Sequence, residues 1–512
     1  IYGRAYVKGL ASVMVLSSAV AATYAQAADI VATGGTWDSP TDFNTDNYTE
    51  QQPQLTDGNI YRLDEGSYSN IKANDTKYNV NLTDVQLSGT MSIASGATVN
   101  LTGSTASVNP HRTLYGWDQT GGQTEADATG DLNNSGNLNI GLDTGSSQAY
   151  YNQVTLGSGS NTVIKGTAAD SKQTLDQYST LTGGLGSGGS FTAESGSTIR
   201  IKNNSHVTVG AGSSDAQFDG TVIFRPMDSG SNSFIRVQDH YDGTTAASSD
   251  AQWGTANSQA SLKFGATSVI DVNSGASGTA GIYAPNAELG GKVTIGSGGT
   301  LRLDGDFIYD NDTAANAQHG KGNFTTTADT NINIAAGGKL VVGDGQYPQT
   351  PQSATNLSDY LGETTVDLSN AGSISGSGNI EVHGTAILTD TLLEDFVQAD
   401  VANTNTKGGT VVLSGGTLEL KSANGNNSVD LSKYRYDTAD NERRDVDIVL
   451  AGNGNDTIKG QNITVSKALT TTDAAKNQLN IEAEHLTLGD ASAAKVGALN
   501  FKQATVSKQI DF

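Results

Sequence analysis

One segment of the chain has the spacing of oxygen ligands that a hard cation prefers. Residues 451–459 read AGNGNDTIK and nearly fit the calcium-binding nonapeptide G-G-x-G-x-D-x-U-x. In that motif the carbonyl oxygens of the turn and the Asp carboxylate coordinate the ion. Gly452, Gly454 and Asp456 are therefore our candidate calcium residues. Such a site needs stacked copies and the motif occurs once, so a plain turn is the competing interpretation, and no other cofactor is expected.

The histidine residues show no catalytic spacing. None of the six, at positions 111, 206, 240, 319, 383 and 485, belongs to an H-E-x-x-H or similar pair. We expect His206 and His383 to lie within strands, where they either pack or face solvent. Residues 184–189 (GLGSGG) match G-x-G-x-x-G by letter, but they lie in a Gly-rich turn and open no helix, so we discount them.

Acidic residues are plentiful, but no spacing selects a catalytic pair. One cluster, which we interpret as a solvated loop, consists of Asp304, Asp306, Asp310 and Asp312. The chain also has no G-x-S-x-G nucleophile motif. Enzymes that cleave polysaccharides bring carboxylates, Lys or Arg together in one groove, and in a repeat fold these would come from separate coils. A carbohydrate-active enzyme is therefore the main alternative, without assigned catalytic residues.

The composition excludes several classes of protein. The 512 residues are too many for one ordinary compact core. Because there is no Cys, disulfides, thiolate metal sites and Cys nucleophiles are excluded. The net charge of −24 argues against nucleic acid as a partner, since phosphate binding needs clustered Lys and Arg. Gly numbers 62 and Pro only 7, and short Val, Ile and Leu runs between polar turns indicate many short strands.

A glycine-punctuated unit recurs along the chain and predicts the fold. It occurs at 89–103, 130–141, 189–201, 291–305, 330–343, 372–384 and 409–421. Apolar residues two apart in each unit, such as Val293 and Ile295, share one face of a strand. The glycines expected at turns with positive φ are those at positions 96, 196, 298, 337 and 415. Stacked units bury a continuous apolar stripe, so we predict an all-β, right-handed parallel β-helix (a β-solenoid) with protruding loops.

The sequence also divides the chain into a signal peptide, a cap and the solenoid. Residues 1–27 have a basic start, a short apolar run and an Ala25-Gln26-Ala27 cleavage site, as in a secretory signal peptide. Residues 28–80 are expected to form an N-terminal cap and residues 81–512 the solenoid. No later stretch is long and apolar enough for a transmembrane helix.

Two segments interrupt the repeat. Residues 343–363 contain two Pro residues and are expected to form a surface loop. Residues 390–401 (DTLLEDFVQADV) predict a short helix against the side of the solenoid, capped by Asp390 or Thr391. Its apolar face would consist of Leu392, Leu393, Phe396 and Val397.

The repeated G-x-h-x-h-x-x-G-x-h-x-h units behind a signal peptide resemble the passenger regions of bacterial autotransporters and related large β-helical surface adhesins. The resemblance covers about residues 80–500 as a pattern, not as an alignable motif. It implies a right-handed parallel β-helix that a C-terminal β-barrel carries through the outer membrane. The chain shows no run of amphipathic strands with aromatic girdles at its end. The translocator would therefore be either a barrel that follows residue 512 or a separate protein.

These features predict an exported protein at the bacterial outer-membrane surface or outside the cell. We expect an autotransporter-type adhesin passenger that mediates attachment or aggregation. Its partners would be host or bacterial surface molecules or glycans. The alternatives are a β-helical polysaccharide lyase or glycosidase, and a surface lattice or biofilm component.

Overall fold

The structure is a computed structural model, and its described residues are distributed along most of the chain. They are residues 30–32, 35–37, 60–73, 79–87, 90–101, 131–141, 148–151, 153–166, 179–184, 189–210, 215–228, 230–237, 261–273, 275, 278–305, 322–343, 363–398, 408–424, 428–437, 446–452, 455–466, 469, 478–489 and 498–503. The expected signal segment 1–27 and most of the expected loop at 343–363 lie outside them.

Nearly all of the regular structure is short β-strands. The first are β1 (Ile30–Ala32), β2 (Gly35–Trp37), β3 (Ile60–Ala73), β4 (Asn79–Leu87), β5 (Thr90–Ile93), β6 (Thr98–Leu101), β7 (Asp131–Asn134), β8 (Asn137–Ile140), β9 (Gln148–Tyr150), β10 (Gln153–Leu156), β11 (Asn161–Ile164), β12 (Ser179–Gly183) and β13 (Ser190–Ala193). The central ones are β14 (Thr198–Lys202), β15 (Ser205–Val209), β16 (Asp215–Phe218), β17 (Thr221–Arg225), β18 (Asn232–Val237), β19 (Ser261–Phe264), β20 (Val269–Val272), β21 (Thr279–Tyr283), β22 (Asn286–Leu289), β23 (Lys292–Ile295), β24 (Thr300–Asp304), β25 (Asn323–Thr326) and β26 (Asn331–Ile334). The last are β27 (Lys339–Val342), β28 (Thr365–Asp367), β29 (Ser373–Gly376), β30 (Asn379–Val382), β31 (Thr385–Thr389), β32 (Thr410–Leu413), β33 (Thr417–Lys421), β34 (Val429–Asp430), β35 (Tyr436–Asp437), β36 (Ile448–Leu450), β37 (Asp456–Val465), β38 (Gln478–Leu488) and β39 (Ala498–Gln503).

The strands stack into three parallel faces, and every strand pair in the described part of the chain is parallel. Face 1 contains β5, β7, β10, β13, β16, β19, β22, β25, β28, β31, β33 and β39; face 2 contains β6, β8, β11, β14, β17, β20, β23, β26, β29 and β34; face 3 contains β9, β12, β15, β18, β21, β24, β27, β30, β32, β36 and β35. Strand β37 pairs with β33 of face 1 and with β34 of face 2. At the other end, β3 pairs with β5 of face 1 and with β4, and β4 pairs with β6 of face 2. These long strands join faces 1 and 2 into one sheet. The predicted parallel β-helix is confirmed.

The register is regular from one coil to the next. Strands β22, β23 and β24 make one coil, and β25, β26 and β27 pair with them strand by strand. Coil length varies widely: Val366 pairs with Ala386, whereas Ala216 pairs with Leu262. Three of the longer undescribed segments, 238–260, 306–321 and 344–362, follow a face-3 strand and precede a face-1 strand. Segment 102–130 follows a face-2 strand and precedes a face-1 strand, and segment 167–178 follows a face-2 strand and precedes a face-3 strand.

One apolar interior runs through the described coils because every second side chain of a strand points inward. On face 2, Ile270, Val293, Ile332 and Ile374 follow one another in register, each at most 2% exposed. On face 1 a large side chain in one coil is paired with a small one in the next: Phe191 pairs with Ala216, and Ala193 pairs with Phe218. Large-against-small pairing keeps the interior filled without widening one coil.

The turn glycines lie where the repeat pattern predicts them. Gly96, Gly196, Gly298, Gly337 and Gly415 have φ of 82°, 86°, 75°, 74° and 84°. These values fall in the left-handed region, which costs a residue with a Cβ about 1 kcal/mol or more. The expectation of turns at these positions is confirmed.

The predicted helix forms, but it lies in the wall of the β-helix. Helix α1 (Asp390–Val397) follows β31 and precedes β32, so it occupies the place of a face-2 strand in that coil. Its predicted apolar face is buried at Leu392, Leu393, Phe396 and Val397. The N-cap is Thr389, whose hydroxyl accepts a hydrogen bond from the Leu392 amide at 3.1 Å. The expected caps, Asp390 and Thr391, were therefore placed one or two residues too late.

Candidate functional site

The three faces differ in what their outer sides offer to a ligand. On faces 1 and 2 the outward side chains are exposed or half-buried, as in β8 and β10. On face 3 the outward side chains of β12 and β15 are buried as well as the inward ones. Over the coils of β12 and β15, faces 1 and 2 are therefore the open surfaces, whereas further along face 3 the outward side chains of β30 are half-buried.

The outer side of face 3 carries a row of three rings in contact. His206 pairs with Phe234 in register, and their rings are parallel with centroids 4.7 Å apart. Tyr283 meets Phe234 edge-on at 5.6 Å. A Cβ at Gly281 would lie 2.5 Å from the Tyr283 ring, so this position of the row needs glycine.

Burial, together with the nearby Arg236, holds the pKa of His206 well below its usual range. The imidazole is therefore neutral near pH 7 and packs as an aromatic ring. His206 thus lies in a strand, as expected, and of the two expected alternatives it packs. His383 lies directly after β30 and not within a strand.

Three titratable groups meet further along the same face. Glu381 Oε1 lies 2.9 Å from His383 Nε2, and Glu381 Oε2 lies 3.4 Å from Lys339 Nζ. The hydrogen bond from His383 holds the pKa of Glu381 below its usual range, and Lys339 adds to this against the opposing effect of burial. Glu381 is thus kept ionised, which suits a base or a cation-binding group better than a general acid.

The environment of this cluster is apolar along the sheet. The register neighbours of Glu381 are Val341 and Val412, which are 3% and 7% exposed. Sequence spacing could not reveal the cluster, because Lys339 and Glu381 come from neighbouring coils of face 3.

The calcium candidate Asp456 lies at the start of β37 and is 1% exposed. Its Oδ1 accepts hydrogen bonds from the amides of Gly415, at 2.8 Å, and Gly452, at 3.1 Å. Its Oδ2 lies 2.9 Å from the Gly452 nitrogen. Burial raises the pKa of Asp456, while these hydrogen bonds lower it in part. In this arrangement the carboxylate closes its own turn and ties it to the turn of the preceding coil.

The structure thus brings Gly452 and Asp456 together, whereas Gly454 lies outside the described residues. Across the described ranges, no group of three or more His, Asp or Glu side chains is placed to hold a metal ion. The calcium site stays a prediction.

Asp304 differs from the solvated loop expected from the sequence. It ends β24, is 2% exposed, and bonds to the Gly305 amide at 2.9 Å and to the Thr364 hydroxyl. The other three acidic residues of that cluster lie outside the described part of the chain. Asp304 joins successive coils at a corner of face 3, so its role is structural.

Ladders of polar side chains follow the open faces. Asn139 Nδ2 donates to Asn100 Oδ1 at 2.9 Å across two face-2 strands. Near the other end, Lys459 and Glu419 of neighbouring face-1 strands form an ion pair at 3.0 Å. Because the strands are about 4.8 Å apart, these ladders present polar groups at a constant repeat along the rod.

Comparisons with protein-family models, curated proteins and solved structures gave no match. Among the described residues, no helix is both long and apolar enough to cross a membrane.

Proposed function

We propose that this chain is the passenger of an exported bacterial surface protein of the autotransporter type and that it mediates attachment or aggregation. The observation that carries the proposal is the continuous β-helix with two open, polar faces. A single long interior gives a rigid rod, and a rod presents repeated contacts to another cell or to a matrix. Weak contacts that repeat along one surface add up through multivalency.

Several features of the sequence support export. The first 27 residues have the charge and apolar pattern of a signal peptide, and a chain without Cys folds in an oxidising compartment without mispairing. An outer-membrane translocator is the expected partner in secretion, either as a barrel beyond residue 512 or as a separate protein.

The test is a gain of attachment. Bacterial cells that express the complete gene should aggregate, or bind at least one member of a panel of host matrix proteins and bacterial surfaces. Cells with the empty vector are the control, and brief protease treatment of intact cells should remove both the protein and the gain. No gain on any member of the panel, with the protein present at the surface, would contradict the proposal.

A carbohydrate-active enzyme is the second candidate, and the Lys339–Glu381–His383 cluster is the observation that favours it. An ionised carboxylate beside two basic groups could take part in proton abstraction from an acidic sugar. Incubation of the purified chain with acidic polysaccharides should then release reducing ends or unsaturated products. Glu381→Gln should abolish that release; no product from the unaltered chain would rule the enzyme out for those substrates.

A further inference from the structure

Three successive coils near the start of the β-helix have an almost uncharged outer surface on faces 1 and 2. They are formed by β5–β6, β7–β8 and β10–β11, whose outward residues are Asn, Gln, Thr and Ser, with one Val and one Asp. We call this the amide surface, and it includes Asn100, Asn133, Asn137, Asn139, Gln153, Thr155 and Asn161. The charged exception, Asp131, accepts a hydrogen bond from the Gln153 amide at 3.1 Å.

Most later coils carry charges at the same positions. Lys263 and Glu288 occupy them on face 1, where they pair at 3.8 Å, and Asp271 and Lys292 lie on the outer side of face 2. The coil of β25 and β26 is uncharged there, but it is a single coil between charged neighbours.

The chain as a whole has a net charge of −24, so an almost uncharged surface over three coils differs from the rest of the protein. Its one charged side chain is Asp131, and Arg200 of the next coil lies at its border, where it donates a hydrogen bond to Asn161 Oδ1.

Hydrogen bonds between coils orient the amides. Asn139 uses one of its two N–H groups in the bond to Asn100 Oδ1, and Asn137 Nδ2 lies 3.5 Å from the Ala97 carbonyl oxygen. A side-chain amide has two donors and two acceptor lone pairs. Amides held in this way present donors and acceptors together, which is what a sugar hydroxyl needs because it both donates and accepts.

We infer that the amide surface binds a neutral, extended polysaccharide that lies along the axis of the β-helix. The coil repeat of about 4.8 Å is close to the length of one pyranose ring in an extended β-1,4-linked chain. Successive rings therefore meet polar side chains in register on successive coils, such as Thr98, Asn137 and Asn161. The inference rests on the proposed surface function and specifies the class of glycan that the rod binds.

Affinity electrophoresis tests this inference on the purified full chain. Native gels that contain hydroxyethyl cellulose or glucomannan should retard the chain, and gels with polygalacturonate should not. The double variant Asn137→Ala/Asn139→Ala should weaken binding to the neutral glycans about tenfold, because it removes two amides worth about one hydrogen bond each.

The chain contains a matched control. Strand β26 reads NINI where β8 reads NLNI, so Asn331→Ala/Asn333→Ala makes the same change on the same face several coils away. Because its uncharged coil stands alone between charged coils, this site lacks the three-coil surface and the control should bind as the unaltered chain does. Circular dichroism should show both double variants folded.

Three results would overturn the inference: no retardation by either neutral glycan, equal retardation by polygalacturonate, or equal loss of binding in the two double variants. The attachment assay above is independent of these gels. Loss of glycan binding with attachment intact would remove only this inference, whereas loss of attachment with glycan binding intact would remove only the proposed function.

Discussion

Replacing Asp456 with alanine should loosen two neighbouring turns at once. The carboxylate is the acceptor for the amides of Gly415 and Gly452, at 2.8 Å and 2.9 Å, and it is 1% exposed. A fully buried N–H group left without an acceptor costs about 1–3 kcal/mol, and these two amides are partly buried. Burial raises the pKa of Asp456, which means that the buried carboxylate charge is itself unfavourable. Its removal therefore offsets part of that cost. We expect a net loss of about 2–4 kcal/mol in the local opening free energy of these turns.

Hydrogen–deuterium exchange of peptides that contain Gly415 and Gly452 measures this opening directly. Asp456→Ala should speed exchange in both peptides, and Asp271→Ala on the outer side of face 2 is the control that should leave them unchanged. Asp456→Asn keeps an acceptor oxygen and should lie between the two. Unchanged exchange in Asp456→Ala would refute the assigned role, and slower exchange on addition of Ca2+ to the unaltered chain would support the calcium prediction instead.

Three further predictions concern the wall and the cluster on face 3. Ile332→Ala should lower the free energy of unfolding by about 2–5 kcal/mol because it leaves a cavity in the interior. Asn333→Ala on the outer side should change the free energy of unfolding by less than about 0.5 kcal/mol. Urea titration compares the two variants, and equal effects would contradict the register. His383→Ala should raise the pKa of Glu381, which NMR titration follows. Since a lowered carboxyl pKa gives stability that is lost as the pH falls through the folded value, that loss should begin at a higher pH in the variant, and an unchanged titration would refute the pairing. Thr389→Ala should cost about 1 kcal/mol through loss of the N-cap, whereas Thr389→Ser should retain most of it, and equal stability of both variants would contradict the cap.

Local patterns in the sequence predicted the fold, because the alternation of apolar and polar residues within each strand shows which side chains point into the interior and which point out. Met91 and Ile93 are two apart and both are buried, and the turn between them and the next strand contains Gly96 with positive φ. Alternation and turn glycines are local properties of the sequence. They can be recognised without knowing which coils are neighbours in the structure.

The assignment of units to faces could not be predicted in the same way. The unit at 89–103 spans faces 1 and 2, that at 291–305 spans faces 2 and 3, and that at 409–421 spans faces 3 and 1. All three look alike in sequence, since inward alternation does not depend on the corner. Contacts between coils depend on that assignment, which explains why the cluster around Glu381 was missed.

Helix α1 shows a related limit. Its length and apolar face follow from the sequence, but its place in the wall depends on the coil around it. The ring of the inward-facing Phe396 packs against Gly409. Only glycine fits at position 409, because a Cβ there would be 2.0 Å from the Phe396 ring. The pair is separated by an undescribed segment, so no local pattern connects them.

Cross-linking across one pair of coils tests the central claim, that these coils stack in a fixed register around one interior. The chain has no Cys of its own, so two cysteines can be introduced without background. Gln217 and Lys263 are register partners on the outer side of face 1, about 4.8 Å apart along the stack, and Glu288 lies one coil further. Gln217→Cys/Lys263→Cys should react with both arms of dibromobimane and become fluorescent, whereas Gln217→Cys/Glu288→Cys should not. Equal reaction of both pairs, or reaction of the second alone, would contradict the β-helix described above.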